Sequence, residues 1–237
     1  MTDLNTGDLE NSLEISRQNS DIPGQLQTLS RLGQAYQAKR QYQKALTYSR
    51  QALDMVKDQA SPDDRIIARV NMGCVYWEMA QLKKAMALFQ DALPIAEEIG
   101  DDAGRRMLCA IMGISYWRKG EWSKAFDWFE QALQACLEGE IESDPSQPVD
   151  LRKYEGLQVV MERGIATLKN RIRIAQEQHD PTRILLPSFS MVPLMFFTGR
   201  KGEIPHLLEE IVPLAQQLKK DKILDAIPPL KKLMGND

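Results

Sequence analysis

Three successive segments of this 237-residue chain carry the same five residues at intervals of 40, and this repeat limits the fold more than any other feature. A repeat of this period predicts a stack of similar supersecondary units rather than one globular core. The columns are Gly33, Gly73 and Gly113; Tyr36, Tyr76 and Tyr116; Ala45, Ala85 and Ala125; Ala52, Ala92 and Ala132; Leu53, Leu93 and Leu133.

The spacing within each repeat predicts a pair of helices. Glycine leaves room for a neighbouring helix, and a tyrosine three residues later lies on the same helical face. The two alanines are seven residues apart, so they share one stripe of a second helix. Each 40-residue unit is therefore expected to be a helical hairpin.

The columns resemble the tetratricopeptide repeat over residues 26–137, with a period longer than the usual 34 or so residues. In that respect they are similar to the repeats of kinesin light chains and spindle-orientation adaptors. The resemblance implies an all-α, right-handed superhelical solenoid of antiparallel helix pairs. The early tryptophan column of the family is absent here, as is its terminal proline. The matching motifs are Leu32-Gly33-Gln-Ala-Tyr36, Met72-Gly73-Cys-Val-Tyr76, Met112-Gly113-Ile-Ser-Tyr116, Ala85-x3-Phe89 and Ala125-x3-Phe129.

Helix-start patterns place the repeats at residues 21–137. Ser61-Pro62-Asp63-Asp64 combines a capping serine, a proline at the first helical position and acidic residues in the first turn. Asp21-Ile22-Pro23-Gly24 and Gly100-Asp101-Asp102 precede the other two repeats. Residues 1–20 are expected to be a polar segment, in which Leu9–Arg17 forms a short helix or a frayed cap.

The pattern changes after the third repeat. Residues 138–150 are acidic and contain prolines, which predicts a loop. Residues 151–178 regain a helical stripe that fits one long helix or a diverged pair. A more distant pair is expected at 183–198 and 203–219, because Gly202-Glu203-Ile204 echoes Gly120-Glu121-Trp122. Lys222–Met234 is expected to form a cap interrupted at Pro228-Pro229, so that 151–237 comprises diverged helical repeats and a terminal cap.

Composition argues against catalysis and against cofactors. The chain has two histidines, three cysteines without a CxxC pair, and none of the glycine-rich phosphate motifs, nucleophile elbows or HExxH motifs. We therefore expect no enzyme activity, no cofactor and no metal. No apolar run is long enough to span a bilayer, no signal peptide is recognisable, and the unpaired cysteines suit the cytoplasm.

The resemblance implies that the first helix of each pair lines the concave, partner-binding groove. This surface lacks the lysine–asparagine pair with which chaperone-binding relatives clamp a carboxylate, so a chaperone tail is not expected as partner. The expected groove residues are Gln34, Gln37, Ile67, Val70, Asn71, Cys74, Trp77, Glu78, Met107, Ile114, Trp117 and Arg118.

Trp77 and Trp117 stand one repeat apart and are expected to form an apolar strip in this groove. Such a strip would bind a partner helix or extended peptide. Alternatively, the C-terminal half of the chain fills the groove itself, and the apolar segment 184–197 could do so. Both possibilities are compatible with the sequence. Trp122 and Trp128 are expected to pack in the core.

The two halves of the chain differ in charge. Residues 1–150 contain 16 Lys and Arg against 23 Asp and Glu, a net charge of −7, whereas residues 151–237 carry a net charge of +4. Arg163, Lys169, Arg171 and Arg173 cluster on one segment, which is either a solvated helix face or a site for an acidic partner. Nucleic acid is disfavoured, because no aromatic residues interleave with the basic ones.

These observations predict a non-catalytic adaptor or scaffold that binds a protein or peptide in its groove. Two alternatives remain at the level of sequence. One is a self-associating structural subunit, in which the apolar strip or segment 184–197 is buried between copies. The other is a free-standing regulatory sensor module.

Overall fold

A computed structural model describes residues 5–56, 60–138 and 152–235 of the chain. Within these residues it contains eleven α-helices and no β-strand, so the predicted all-α class is confirmed. The predicted loop 138–150 lies almost entirely outside the described residues. The backbone contacts divide the chain into two compact units, 1–108 with 151–157, and 109–150 with 158–237.

The first unit contains two complete helix pairs and the beginning of a third. α1 packs against α2, α2 against α3, and α4 against α5. The segment 152–157 returns to this unit as a one-turn 3-10 helix, Arg152–Tyr154, followed by the first turn of α8. The helices are α1 (Thr6–Gln18), α2 (Ile22–Ala38), α3 (Tyr42–Met55), α4 (Pro62–Glu78), α5 (Leu82–Glu98) and the first part of α6 (Asp102–Arg118).

The second unit begins within α6 and continues to the end of the described chain. Here α6 packs against α7, α9 packs against α10, and the terminal helix contacts α7 and α10. The helices are the remainder of α6, α7 (Trp122–Glu138), α8 (Glu155–Glu177, from residue 158), α9 (Pro181–Phe197), α10 (Ile204–Gln217) and α11 (Asp221–Leu233).

The glycine column works as the sequence predicts, because each glycine faces a side chain of the second helix. A Cβ added at Gly73 would lie 2.4 Å from Phe89 Cε1, and one at Gly113 would lie 2.4 Å from the ring of Phe129. Gly33 meets the smaller Ser49 at 2.8 Å. The predicted helix starts are confirmed as well, since Asp21 and Ser61 cap α2 and α4 with their side chains.

Eight of the described helices end in the same turn, and this regularity was not evident from the sequence. In each, a residue with positive φ is followed by a backbone N–H that donates to the carbonyl five residues earlier, as Gln41 does to Tyr36 at 2.9 Å. This is the Schellman ending. Its positive-φ residues lie at intervals of 20, with one interval of 40 between Arg40 and Ala80. They are Ser20, Arg40, Ala80, Gly100 and Gly120 in one series, and His179, Gly199 and Lys219 in another.

The structure corrects two expectations, the turn at Gly202 and the break at Pro228-Pro229, and it decides between the alternatives at two other places. The turn between α9 and α10 has its positive φ at Gly199 rather than at Gly202, so the echo of Gly120 lies three residues earlier than predicted. Residues 155–177 form one helix despite Gly164, which is the first of the two alternatives for this segment. α11 continues through Pro228 and Pro229, because both prolines lie on its exposed side, where water can satisfy the carbonyls that lose a donor. The early segment does form a helix, α1, which is longer than the predicted Leu9–Arg17.

Candidate partner-binding surface

The expected groove residues of the first unit lie on α2, α4 and α6, and most are buried. Val70 and Cys74 have no exposed surface, and Gln37, Asn71, Trp77 and Met107 are also buried. Gln34, Ile67 and Glu78 are half-buried. The expected exposed strip is therefore absent here, because the chain covers these side chains itself. Whether a partner binds them stays a prediction.

Gln34 and Asn71 meet across α2 and α4. Gln34 Nε2 donates a hydrogen bond to Asn71 Oδ1 at 3.4 Å. The amide nitrogen of Asn71 is buried but has no acceptor among the described residues. A buried amide without an acceptor is costly, so this position favours an additional carbonyl group.

The start of α8 covers Asn71 and Cys74. A Cβ added at Gly156 would lie 3.3 Å from both Asn71 Oδ1 and Cys74 Sγ, which is tighter than most Cβ contacts, so glycine favours this close approach to α4. Leu157, the next residue, has no exposed surface. The sequence indicated that the C-terminal half could fill the groove, and in this unit residues 152–157 do lie on the first helices.

Two side chains before Gly156 are held by acidic residues at the starts of α4 and α6. The Lys153 ammonium nitrogen lies 2.7 Å from Asp101 Oδ2 and 2.9 Å from Asp63 Oδ1. The Tyr154 hydroxyl donates to Asp101 Oδ2 at 3.1 Å. Asp101 Oδ1 also accepts the backbone N–H of Gly104, so its carboxylate orients both the helix start and the bound segment.

Gly104 provides the space for Tyr154. A Cβ at Gly104 would lie 2.0 Å from the Tyr154 hydroxyl oxygen, and the Tyr154 side chain is fully buried. Burial and the neighbouring Asp101 carboxylate raise the pKa of Tyr154, so the phenol stays protonated and donates. Burial opposes the charge on Lys153, but its hydrogen bonds to Asp101 and Asp63 outweigh that effect and raise the pKa of Lys153.

The sequence did not reveal this pocket. It identified Asp63 and Asp101 as acidic residues of helix starts, which they are, and placed Tyr154 on a helical stripe. The lysine lies 90 residues from Asp63 in the chain, and no local pattern links positions so far apart.

Three expected groove residues lie in the second unit, on the last turns of α6. Ile114 and Trp117 are buried, and Arg118 is exposed. The Trp117 indole packs on Phe189 of α9, with ring centroids 4.7 Å apart, and its N–H donates to the Phe189 carbonyl at 3.2 Å. That carbonyl lacks its usual helical donor, because the residue four positions later is Pro193.

Segment 184–197 therefore covers Trp117 as part of the regular helix α9. Phe189 also meets Trp122 at 5.3 Å, and Phe197 meets Phe129 of α7 at 5.4 Å. Trp122 and Trp128 are half-buried. The apolar segment is thus packed against the third repeat within the second unit.

The described residues contain no cluster of three metal-ligating side chains. None of the described helices is long and apolar enough to cross a membrane. Cys74 and Cys109 are buried and form no disulfide among the described residues.

Known proteins support the assignment of the repeats. Residues 24–98 and residues 108–143 match two sequence models of the tetratricopeptide repeat. These two segments are tetratricopeptide repeats. Residues 160–198 match the model of anaphase-promoting complex subunit 5, and no curated protein matches the chain by sequence.

Solved structures resemble these tetratricopeptide repeats at low sequence identity. BtubC (BKLC) from P. vanneervenii has a TM-score of 0.53 at 13% identity, covering 97% of this chain and 89% of that chain. A STAND protein with a tetratricopeptide repeat sensor from Pyrococcus horikoshii has a TM-score of 0.52 at 16% identity, covering 91% of this chain but 34% of its own. These likenesses concern the fold.

Proposed function

We propose that this chain is a non-catalytic adaptor that binds a protein partner on the face formed by the first helices of its repeats. One observation carries the proposal. The first helices of the first unit already hold a short segment, residues 152–157, through side-chain recognition at Asp63 and Asp101. A surface that selects one segment in this way has the chemistry of a peptide-binding site.

The predicted groove residues define the rest of the surface. Gln34, Ile67 and Glu78 are half-buried, and Arg118 in the second unit is exposed, so these residues offer the accessible contacts. Gln37, Val70, Asn71, Cys74, Trp77, Met107, Ile114 and Trp117 would contact a partner only if the covering segments move. A cytoplasmic location suits Cys74 and Cys109, which are buried and form no disulfide among the described residues.

Site-specific photo-crosslinking in the native cell tests this proposal. A photoreactive amino acid replaces half-buried Ile67 on the first helix α4, and a matched control replaces exposed Asp91 on the second helix α5. We expect one protein to crosslink from position 67 and not from position 91. Crosslinks to that protein from position 91 alone, or from neither position, would contradict the proposal.

A further inference from the structure

We propose that the pocket formed by Asp63, Asp101 and Gly104 is a recognition site for a partner segment in which a lysine precedes a tyrosine. Lys153-Tyr154 is the chain's own copy of that segment. This inference rests on the proposed adaptor function and specifies the chemistry of the partner.

Charge complementarity selects the lysine. Two carboxylates from different helices converge on one ammonium group at 2.7 and 2.9 Å, and the Asp101 side chain is 13% exposed. A cation bound between two such carboxylates is favoured over a neutral side chain. The usual preference for acidic residues at helix starts would account for Asp63 and for Asp101 separately. It does not account for the contact of both carboxylates with Lys153.

Shape selects the tyrosine. Gly104 leaves a slot that a tyrosine fills up to its hydroxyl, and the hydroxyl then donates to Asp101 at 3.1 Å. A phenylalanine would fill the slot but leave that oxygen of Asp101 with one donor fewer. The slot therefore distinguishes tyrosine from other large apolar residues.

A further polar group lies under the same segment. The amide nitrogen of buried Asn71 has no acceptor among the described residues, although Gly156 lies close to the Oδ1 atom of the same side chain. A partner segment that places a backbone carbonyl there would satisfy this donor, which the internal copy does not do. A partner could therefore compete with the internal copy, even though the internal copy benefits from a high effective concentration.

Peptide binding to a variant with an emptied pocket tests the proposal. The probe is a fluorescent peptide with the sequence Arg-Lys-Tyr-Glu-Gly-Leu, and the variant is Lys153→Ala/Tyr154→Ala of the full chain. We expect saturable binding to the variant and binding weaker by about tenfold or more to the wild type, whose own segment competes. Adding Asp101→Asn should weaken binding by about tenfold, whereas Asp91→Asn on exposed α5 should not change it.

Peptide variants and folding controls make the outcome decisive. Replacing the lysine of the probe with alanine, or its tyrosine with phenylalanine, should each lower the affinity. Circular dichroism reports whether the double variant is folded. If it is not, Lys153→Ala alone replaces it, since this substitution frees Asp63 and Asp101 for the lysine of the probe and leaves the buried Tyr154 in place.

Three results would overturn the proposal. One is no saturable binding to a folded variant, and another is equal binding with and without Asp101→Asn. The third is a dimer in light scattering that forms by exchange of residues 152–157 between copies, because the occupant would then be a second copy. A crosslinked partner at position 67 without peptide binding would leave the adaptor function standing and reject only this inference.

Discussion

The helix pairs α6–α7 and α9–α10 share the length of their first helix and the geometry of their turn, but they differ in the residues that pack between the helices. α6 and α9 are both 17 residues long, and each ends in a Schellman turn with a glycine at positive φ, Gly120 in one and Gly199 in the other. The third repeat uses Gly113 against Phe129, whereas α9 carries prolines and bulky apolar residues. The two pairs therefore have helix length and turn geometry in common. The glycine and phenylalanine of the repeat motif are one of several ways to pack the two helices of a pair.

The largest expected effect tests the register of the second pair. Counting from the turn glycines, Ile204, Leu208 and Ile211 stand where Ala125, Phe129 and Ala132 stand, and all three are buried. Ile204→Ala should lower the free energy of unfolding by about 2–5 kcal/mol, because Ile204 has no exposed surface.

The matched control is Leu214→Ala. Leu214 is half-buried, and a register counted from Gly202 instead of Gly199 would place it at the position of Ala132. Denaturant unfolding should show a clearly smaller loss for Leu214→Ala than for Ile204→Ala. A larger loss of unfolding free energy for Leu214→Ala than for Ile204→Ala would show that the register must be counted from Gly202 instead of Gly199.

A second prediction compares the glycine column between repeats. Gly73→Ala would place a methyl group 2.4 Å from an atom of the Phe89 ring, which is buried and cannot yield easily. We expect a loss of about 1–3 kcal/mol in the free energy of unfolding. At Gly33 the obstacle is the Ser49 hydroxyl at 2.8 Å, which can rotate, so Gly33→Ala should cost less. Equal costs in chemical denaturation would contradict this packing argument.

The sequence predicted the three repeats well because the patterns that define them are local. Gly73 and Phe89, or Ser61 and Pro62, lie within one helical hairpin, so spacing and capping rules apply directly. The pocket around Tyr154 and the cover over Trp117 depend on residues 53 and 72 positions away, which no periodicity describes. The turns at Arg40, Ala80, His179 and Lys219 were missed because non-glycine residues at positive φ leave no clear mark in the sequence.

A third prediction concerns Trp117, which links α6 to α9 in the second unit through its contact with Phe189. Trp117→Phe removes the N–H that serves the Phe189 carbonyl, while Pro193→Ala supplies a helical N–H to the same oxygen. The two substitutions should therefore be coupled by about 1 kcal/mol in a double-mutant cycle of unfolding free energies. Trp122→Phe, which alters a ring contact with Phe189, should show no such coupling with Pro193→Ala.

The smallest expected effect tests the shared turn. Gly120 has a φ of 75° and nothing near its Cβ position, so Gly120→Ala changes only backbone strain and should cost about 1 kcal/mol. Ala80 has a φ of 58° at the equivalent position, so Ala80→Gly should instead raise the melting temperature slightly. If both substitutions moved the melting temperature in the same direction, turn geometry would not be what the regions share.

Hydrogen exchange of the backbone amides in residues 152–157 tests the central claim, that acidic side chains hold this segment on the first helices. Asp63→Asn/Asp101→Asn removes both charges, while an amide oxygen at position 101 can still accept the N–H of Gly104. We expect these amides to exchange about tenfold faster or more in the variant, with α2 and α3 unchanged. Equal exchange of residues 152–157 in both proteins would contradict the account.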